Sequence, residues 1–204
     1  HVHLRAAGGK GSPGLWRVGA SATAPIKAAL DGGADGIIVP QVRTVEEVRS
    51  VVADCRYPPL GRRGYSPRVP SNYGRSGGAA FVEAANRNIF VSVMIENAEA
   101  LQNLDAILAV PLLDSIIIGP ADLSLSLGAM GELNSPLMQQ AFDTIIQKTR
   151  QAGLFIGSGM GMDVDFALSM VSRGVQWLQI GSDVTYLVRQ ADILLGEVRN
   201  RLNG

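Results

Sequence analysis

Glu96 and Asp122 are the residues whose type and placement could do chemistry. Glu96 closes the apolar run that begins at Ile89, and Asp122 follows the run Ser115–Ile118 and the turn Gly119-Pro120-Ala121. If the two runs are adjacent parallel strands, both carboxylates project from strand carboxyl ends into one mouth, where parallel barrels place their chemistry. Two carboxylates completed by water and substrate oxygens suit a hard cation such as Mg2+ or Mn2+, whereas Zn2+ favours His and Cys. Either acid alone could be a helix cap or an ion-pair partner. Their joint position at neighbouring strand ends favours a metal site.

Three further features bear on that mouth. The turn Gly119–Ser124 opens a helix-like segment, Leu123–Leu127, and amides at a helix start attract carboxylate or phosphate. Pro120 has no N–H, so Ala121 and Asp122 are the candidate donors. Arg17 lies in the run Gly14–Val18 and keeps its charge in any setting, so it needs polar company. A structural ion pair is the plain reading, and contact with a substrate oxyanion the sharper one. Lysine occurs only at positions 10, 27 and 148, in a terminus and in helices, whereas imine chemistry would want a lysine inside the mouth. His1 and His3 fit no metal spacing, and Ser158 and Ser182 lack a His–Asp arrangement. The arginine-rich loop Arg56–Arg68 is a solvated segment, a binder of a distal acidic group, or a subunit contact.

Strand-like runs alternate with helix-like segments along the chain. Strands are expected at Gly14–Val18, Gly36–Pro40, Ile89–Glu96, Ser115–Gly119, Leu154–Ser158 and Gln176–Gly181. They are apolar on both faces, as in a parallel sheet covered on both sides. Helices are expected at Ala24–Asp31, Val45–Ala53, Ala98–Ala109, Pro136–Ala152, Val164–Arg173 and Val184–Leu202, with Arg56–Gly77 irregular. Repeated βα units imply a doubly wound sheet or a (β/α)8 TIM barrel. No glycine-rich dinucleotide turn opens the first helix, which favours the barrel. A barrel of about 250 residues has eight strands. The expected architecture is therefore an N-terminally truncated, six-strand part of a barrel, forming one domain over residues 1–204.

Composition agrees with a globular α/β protein. Hydrophobic residues make up 47% and charged residues 18%, and the formal net charge is zero, so nothing draws the chain toward nucleic acid or an anionic membrane. Cys55 is the only cysteine, which excludes an internal disulfide and points to a reducing, cytoplasmic setting. No run has membrane-spanning length.

The words Ala29-Leu30-Asp31-Gly32-Gly33-Ala34, Gly36-Ile37-Ile38-Val39-Pro40, Arg56-Tyr57-Pro58-Pro59 with Gly61-x-Arg63-Gly64, Met94-Ile95-Glu96, and Ile118-Gly119-Pro120-Ala121-Asp122-Leu123-Ser124 occur in this order. Together the chain resembles the HpcH/HpaI aldolases, metal-dependent pyruvate aldolases of the pyruvate/phosphoenolpyruvate barrel type. The resemblance implies a class II aldolase that makes or breaks 2-oxo-acid aldols through a pyruvate-type enolate. It implies Glu96 and Asp122 as ligands of Mg2+ or Mn2+, with Co2+ a further candidate. It implies Arg17 at the keto or enolate oxygen, the amides of Ala121 and Asp122 at the carboxylate, and Asp31 near a subunit interface. An aldehyde is the second substrate, and the intact protein is expected to be a homo-oligomer, a hexamer. The family's catalytic histidine would precede residue 1, and Met94 stands where several members carry glutamine. The alternatives are a 2-oxo-acid decarboxylase, an acyl-CoA lyase, or an inactive fragment or scaffold lacking that histidine.

Overall fold

The computed structural model describes residues 11–202. Its parallel strands are β1 (Leu15–Arg17), β2 (Gly36–Val39), β3 (Phe90–Ile95), β4 (Ser115–Ile118), β5 (Phe155–Met160) and β6 (Trp177–Ile180), which form one six-stranded sheet in chain order. Each strand pairs in parallel with the next, so the sheet curves as a half-barrel with all carboxyl ends on one rim. His1, His3 and Lys10 lie outside the described residues.

Strand alternation sorts the side chains into two layers. Ile37, Val39, Val91, Val93, Ile95, Ile116, Ile118 and Ile156 point outward into the main core beneath the helices. Ile38, Met94 and Ile117 form a smaller inner cluster, joined by Trp177. The Trp177 indole covers Gly157, where a Cβ would come within 2.3 Å of the ring, and donates to Ser115 Oγ at 3.2 Å. Gly157 thus lets one large ring fill space that two side chains would otherwise share.

The helices are α1 (Thr23–Asp31), α2 (Val45–Cys55), α3 (Ala79–Asn88), α4 (Ala98–Gln102), α5 (Leu104–Leu108), α6 (Pro120–Ser126), α7 (Pro136–Gln151), α8 (Val164–Ser172) and α9 (Asp183–Leu202). A full capping box starts α2: Thr44 accepts from the Glu47 amide, and Glu47 reaches back to the Thr44 N–H. Helix α7 starts at Pro136 behind a Ser135 cap and buries Met138, Ala141, Phe142, Ile145 and Ile146 against the sheet. Its apolar residues recur at the three- and four-residue spacing of one helical face.

Three expectations need correction. The segment Ala98–Ala109 is not one helix; it breaks at Asn103, and Asn97 caps only its first piece. Helix α3 was not anticipated from sequence: six of its ten residues are small or apolar, but four of these are alanines and none becomes fully buried. The fifth strand runs two residues past Ser158, to Met160, and so brings Gly159 to the rim.

The arginine loop divides: Arg62 and Arg68 are exposed, as a solvated loop would have them, whereas Arg56 and Arg63 are buried, and none of the four lines the cavity described below. Arg56 is buried at the amino ends of β3 and β4, donating to Ile89 O at 2.7 Å and Leu112 O at 3.3 Å and pairing with Asp114 at 3.3 Å. Buried Arg63 pairs with Asp31 at 3.0 Å and lies 4.6 Å over the Tyr57 ring. Arg62 pairs with buried Asp54 at 2.7 Å. These guanidiniums satisfy carbonyls and carboxylates that burial would otherwise leave costly.

Candidate metal centre and substrate pocket

The register brings the two acids together. Ile95 is opposite Ile118, so Glu96 and Gly119, one residue further along, meet at the rim. Gly119 has no side chain for a strict reason: a Cβ there would lie 2.6 Å from Glu96 Oε2 and 2.7 Å from Glu96 Cβ. The chain then turns at Pro120 into α6, which places Asp122 in its first turn, beside Glu96.

Glu96 is only 1% exposed. Its Oε1 accepts from the Gln41 amide at 2.6 Å, while its Oε2 is buried and has no hydrogen-bond partner among the described residues. Burial pushes its pKa up, the Gln41 hydrogen bond pulls it back, and the adjacent Asp122 charge pushes it up again; Arg17 offsets part of this. Two carboxylates facing each other are two acceptors without a donor. A proton or a cation between them resolves the conflict. An orphaned oxygen beside a second carboxylate is a donor set that fits a hard divalent cation. The described residues hold no cluster of three or more His, Cys, Asp or Glu, so the remaining positions would fall to water and substrate oxygens.

The other predicted residues join this pair. Arg17 faces the inner side of the half-barrel; its Nε contacts Met94 Sδ at 3.5 Å and its charge reaches Glu96. No carboxylate lies within 4.0 Å of it among the described residues, so the plain ion-pair reading of Arg17 does not hold there. Met94 thus meets Arg17 with a soft sulfur where an amide side chain would offer an oxygen. The first bond of the α6 ladder runs from Leu123 N to Gly119 O at 2.9 Å, so the Ala121 and Asp122 amides precede it. Ser124 closes this turn by donating to Ala121 O at 2.8 Å.

Arg17, Met94, Glu96, Ala121 and Asp122 line a cavity of about 290 Å³ whose far wall comprises Leu133, Met160, Phe166 and Gln179. Sequence reading missed that wall. The signal available was the alternation in Trp177-Leu178-Gln179-Ile180, which puts Gln179 on the inner face with Trp177. Asp163 also lines the cavity but is committed to capping α8, accepting from Phe166 N at 3.0 Å. Asp31 lies elsewhere, held by Arg63 and Lys27. Lys27 and Lys148 are paired with Asp31 and Asp105, and neither lines the cavity. Ser158 is buried against its own strand.

The chain is similar to known proteins over most of its length. Residues 3–190 match the family model described as HpcH/HpaI aldolase/citrate lyase. A 2-keto-3-deoxy-L-rhamnonate aldolase of Salmonella paratyphi B is 36% identical over 169 residues, which are 82% of this chain and 62% of that protein. The chain therefore spans under two thirds of the length of such curated relatives. The crystal structure of an HpcH/HpaI aldolase from Desulfitobacterium hafniense superposes with a TM-score of 0.89 at 29% identity, covering 96% of this chain and 76% of that one. A more distant fold neighbour is the CitE protein of Mycobacterium tuberculosis, solved in complex with magnesium and acetoacetate. It is 12% identical with a TM-score of 0.56, covering 84% of this chain and 64% of that one. The chain belongs to the HpcH/HpaI aldolase/citrate lyase family.

Proposed function

We propose that the protein containing this chain is a divalent-metal-dependent carbon–carbon lyase that cleaves or forms aldols of 2-oxo acids. The observation that carries this reading is the Glu96 carboxylate on the rim of a parallel half-barrel, its Oε2 buried without a donor and Asp122 close beside it. The named activities of the relatives support the substrate class, and a CitE protein of the same fold, solved in complex with magnesium and acetoacetate, is in keeping with the cofactor.

Glu96 and Asp122 would hold Mg2+ or Mn2+. When bound, such an ion polarises a keto group as a Lewis acid. The chain's own groups do the rest. The Ala121 and Asp122 amides, at the positive end of α6, orient the carboxylate of the 2-oxo acid. Arg17 places a fixed charge beside the oxygen that becomes negative as the enolate forms; such preorganised charge is the largest contribution in many enzymes. Gln41 holds Glu96 Oε1 in place, and Gly119 leaves the space Glu96 occupies. Leu133, Met160 and Phe166 provide an apolar wall that limits water at the reacting carbon. Assembly into a homo-oligomer is part of this proposal. Along α9 no residue is buried, and Val184, Leu187, Val188, Leu194 and Leu195 are exposed, a face that a second copy could cover. None of the helices described is long and apolar enough to cross a membrane.

The test is turnover of pyruvate with a panel of aldehydes by the full-length protein, with Mg2+ or Mn2+ and after exhaustive chelation. Metal-dependent aldol formation is the expected result. Full activity after chelation would overturn the metal route. Oxaloacetate decarboxylation without any aldol turnover would instead favour the decarboxylase reading.

A further inference from the structure

The rim of the half-barrel carries a row of four positions with a gap in the middle. Gly159 is opposite Gln179, Ile118 is opposite Ser158, and Ile95 is opposite Ile118. One step along, Glu96, Gly119, Gly159 and Gln179 therefore fall in one row on the inner face. The two middle members have no side chain. The row crosses three inter-strand steps of about 4.8 Å, roughly 14 Å along the sheet. A three-carbon 2-oxo acid held at the Glu96–Asp122 end fills only part of that length. Leu133, Met160, Asp163, Phe166 and Gln179 border the remainder; Asp163 caps α8 through Oδ1, and Gln179 is the polar member that stands in the row itself.

The orientation of the Gln179 amide follows from its contacts. Its Nε2 donates to Gly181 O at 3.2 Å, which turns Oε1 toward the row. A Cβ on Gly159 would sit 3.5 Å from that oxygen, so Oε1 hangs over the glycine floor. It accepts no hydrogen bond among the described residues. Gln179 is exposed, so this oxygen is free to exchange solvent for a ligand that brings a hydroxyl donor.

We propose that Gln179 is a specificity-determining residue: Oε1 accepts a hydrogen bond from a hydroxyl carried by the aldehyde partner, and the Gly119–Gly159 floor provides the room for that aldehyde. The inference rests on the aldolase reading and adds the residue that distinguishes hydroxylated from plain aldehydes. The experiment compares glycolaldehyde with acetaldehyde, a pair differing by one hydroxyl, using pyruvate and Mg2+ with the full-length protein. Gln179→Leu is expected to lower the glycolaldehyde-to-acetaldehyde ratio of kcat/KM about tenfold, the effect of one neutral hydrogen bond. The loss should lie mainly in KM for glycolaldehyde, with acetaldehyde turnover retained. Gln179→Glu keeps an acceptor and is expected to keep the ratio. An unchanged ratio in Gln179→Leu overturns the role of Gln179 and leaves the aldolase reading standing. Absence of aldol formation with either aldehyde by the folded parent protein overturns that reading, and this inference with it.

Discussion

Replacing Glu96 by glutamine is predicted to stabilise the metal-free protein while abolishing its response to divalent cations. In the parent, Oε1 is satisfied by the Gln41 backbone amide, whereas Oε2 is buried without a donor, and Asp122 lies beside the carboxyl. Leaving a buried acceptor unsatisfied costs about 1–3 kcal/mol. Glutamine keeps an oxygen for Gln41 and replaces the donorless Oε2 with an N–H beside Asp122, so a gain of about 1 kcal/mol, roughly 2–4 °C in Tm, is expected without metal. The sign with pH follows from burial, the main cause of the raised Glu96 pKa. A carboxyl whose folded pKa lies above its unfolded value contributes most at low pH, and that contribution is lost as pH rises through the folded value. The advantage of the glutamine variant over the parent therefore widens as pH rises through that range. With cation at a hundredfold excess over Kd, the parent gains about 2.7 kcal/mol, roughly 5–10 °C, and the variant none. Thermal melts of both proteins with EDTA and with Mn2+ measure all of this. A Glu96→Gln protein that melts below the parent in EDTA, or that keeps the Mn2+ shift, would refute the reasoning.

Gly119→Ala places a Cβ 2.6 Å from Glu96 Oε2, so it should displace that carboxylate, lower stability by about 1–3 kcal/mol and remove the Mn2+ shift in the same melts. The Cys55 thiol is pushed up to about 12 by burial, against an ordinary 9.0, with Arg56 and Arg63 pulling the other way. Its folded pKa is the higher one, so its stabilising contribution is complete below pH 9.0 and is lost as pH rises toward 12. Cys55→Ala should flatten the fall in stability measured by urea denaturation across that window, and a thiol reagent should label Cys55 only on unfolding. Arg56→Ala removes donors to Ile89 O and Leu112 O and the partner of Asp114 at the amino ends of β3 and β4. It should cost about 3–5 kcal/mol by urea denaturation and leave Mn2+ affinity unchanged in whatever protein remains folded.

That Glu96, Asp122 and Arg17 share one rim was legible in the sequence because Glu96 and Arg17 lie at the ends of apolar runs and Asp122 follows another by one short turn; their roles belong to the proposal. The rim follows from those ends without knowledge of contacts. Leu133, Met160 and Phe166 were not legible. They reach the cavity from the α6–α7 connection, the extension of β5 and the first turn of α8, and only packing brings these together. Within the arginine loop Arg62 and Arg68 are exposed, but the burial of Arg56 was not legible, because the Ile89 and Leu112 carbonyls it donates to are distant in the chain. Helix α3 is alanine-rich and only half-buries Phe81, Val82 and Ala85, so its apolar face was a weak signal.

Anomalous diffraction from crystals of the full-length protein soaked with Mn2+ and pyruvate tests the shared cation most directly. A single peak bridging one oxygen of Glu96 and one of Asp122, at about 2.1 Å from each, is predicted. Manganese bound elsewhere while these two carboxylates stay bare, or bound by one of them alone, would contradict it.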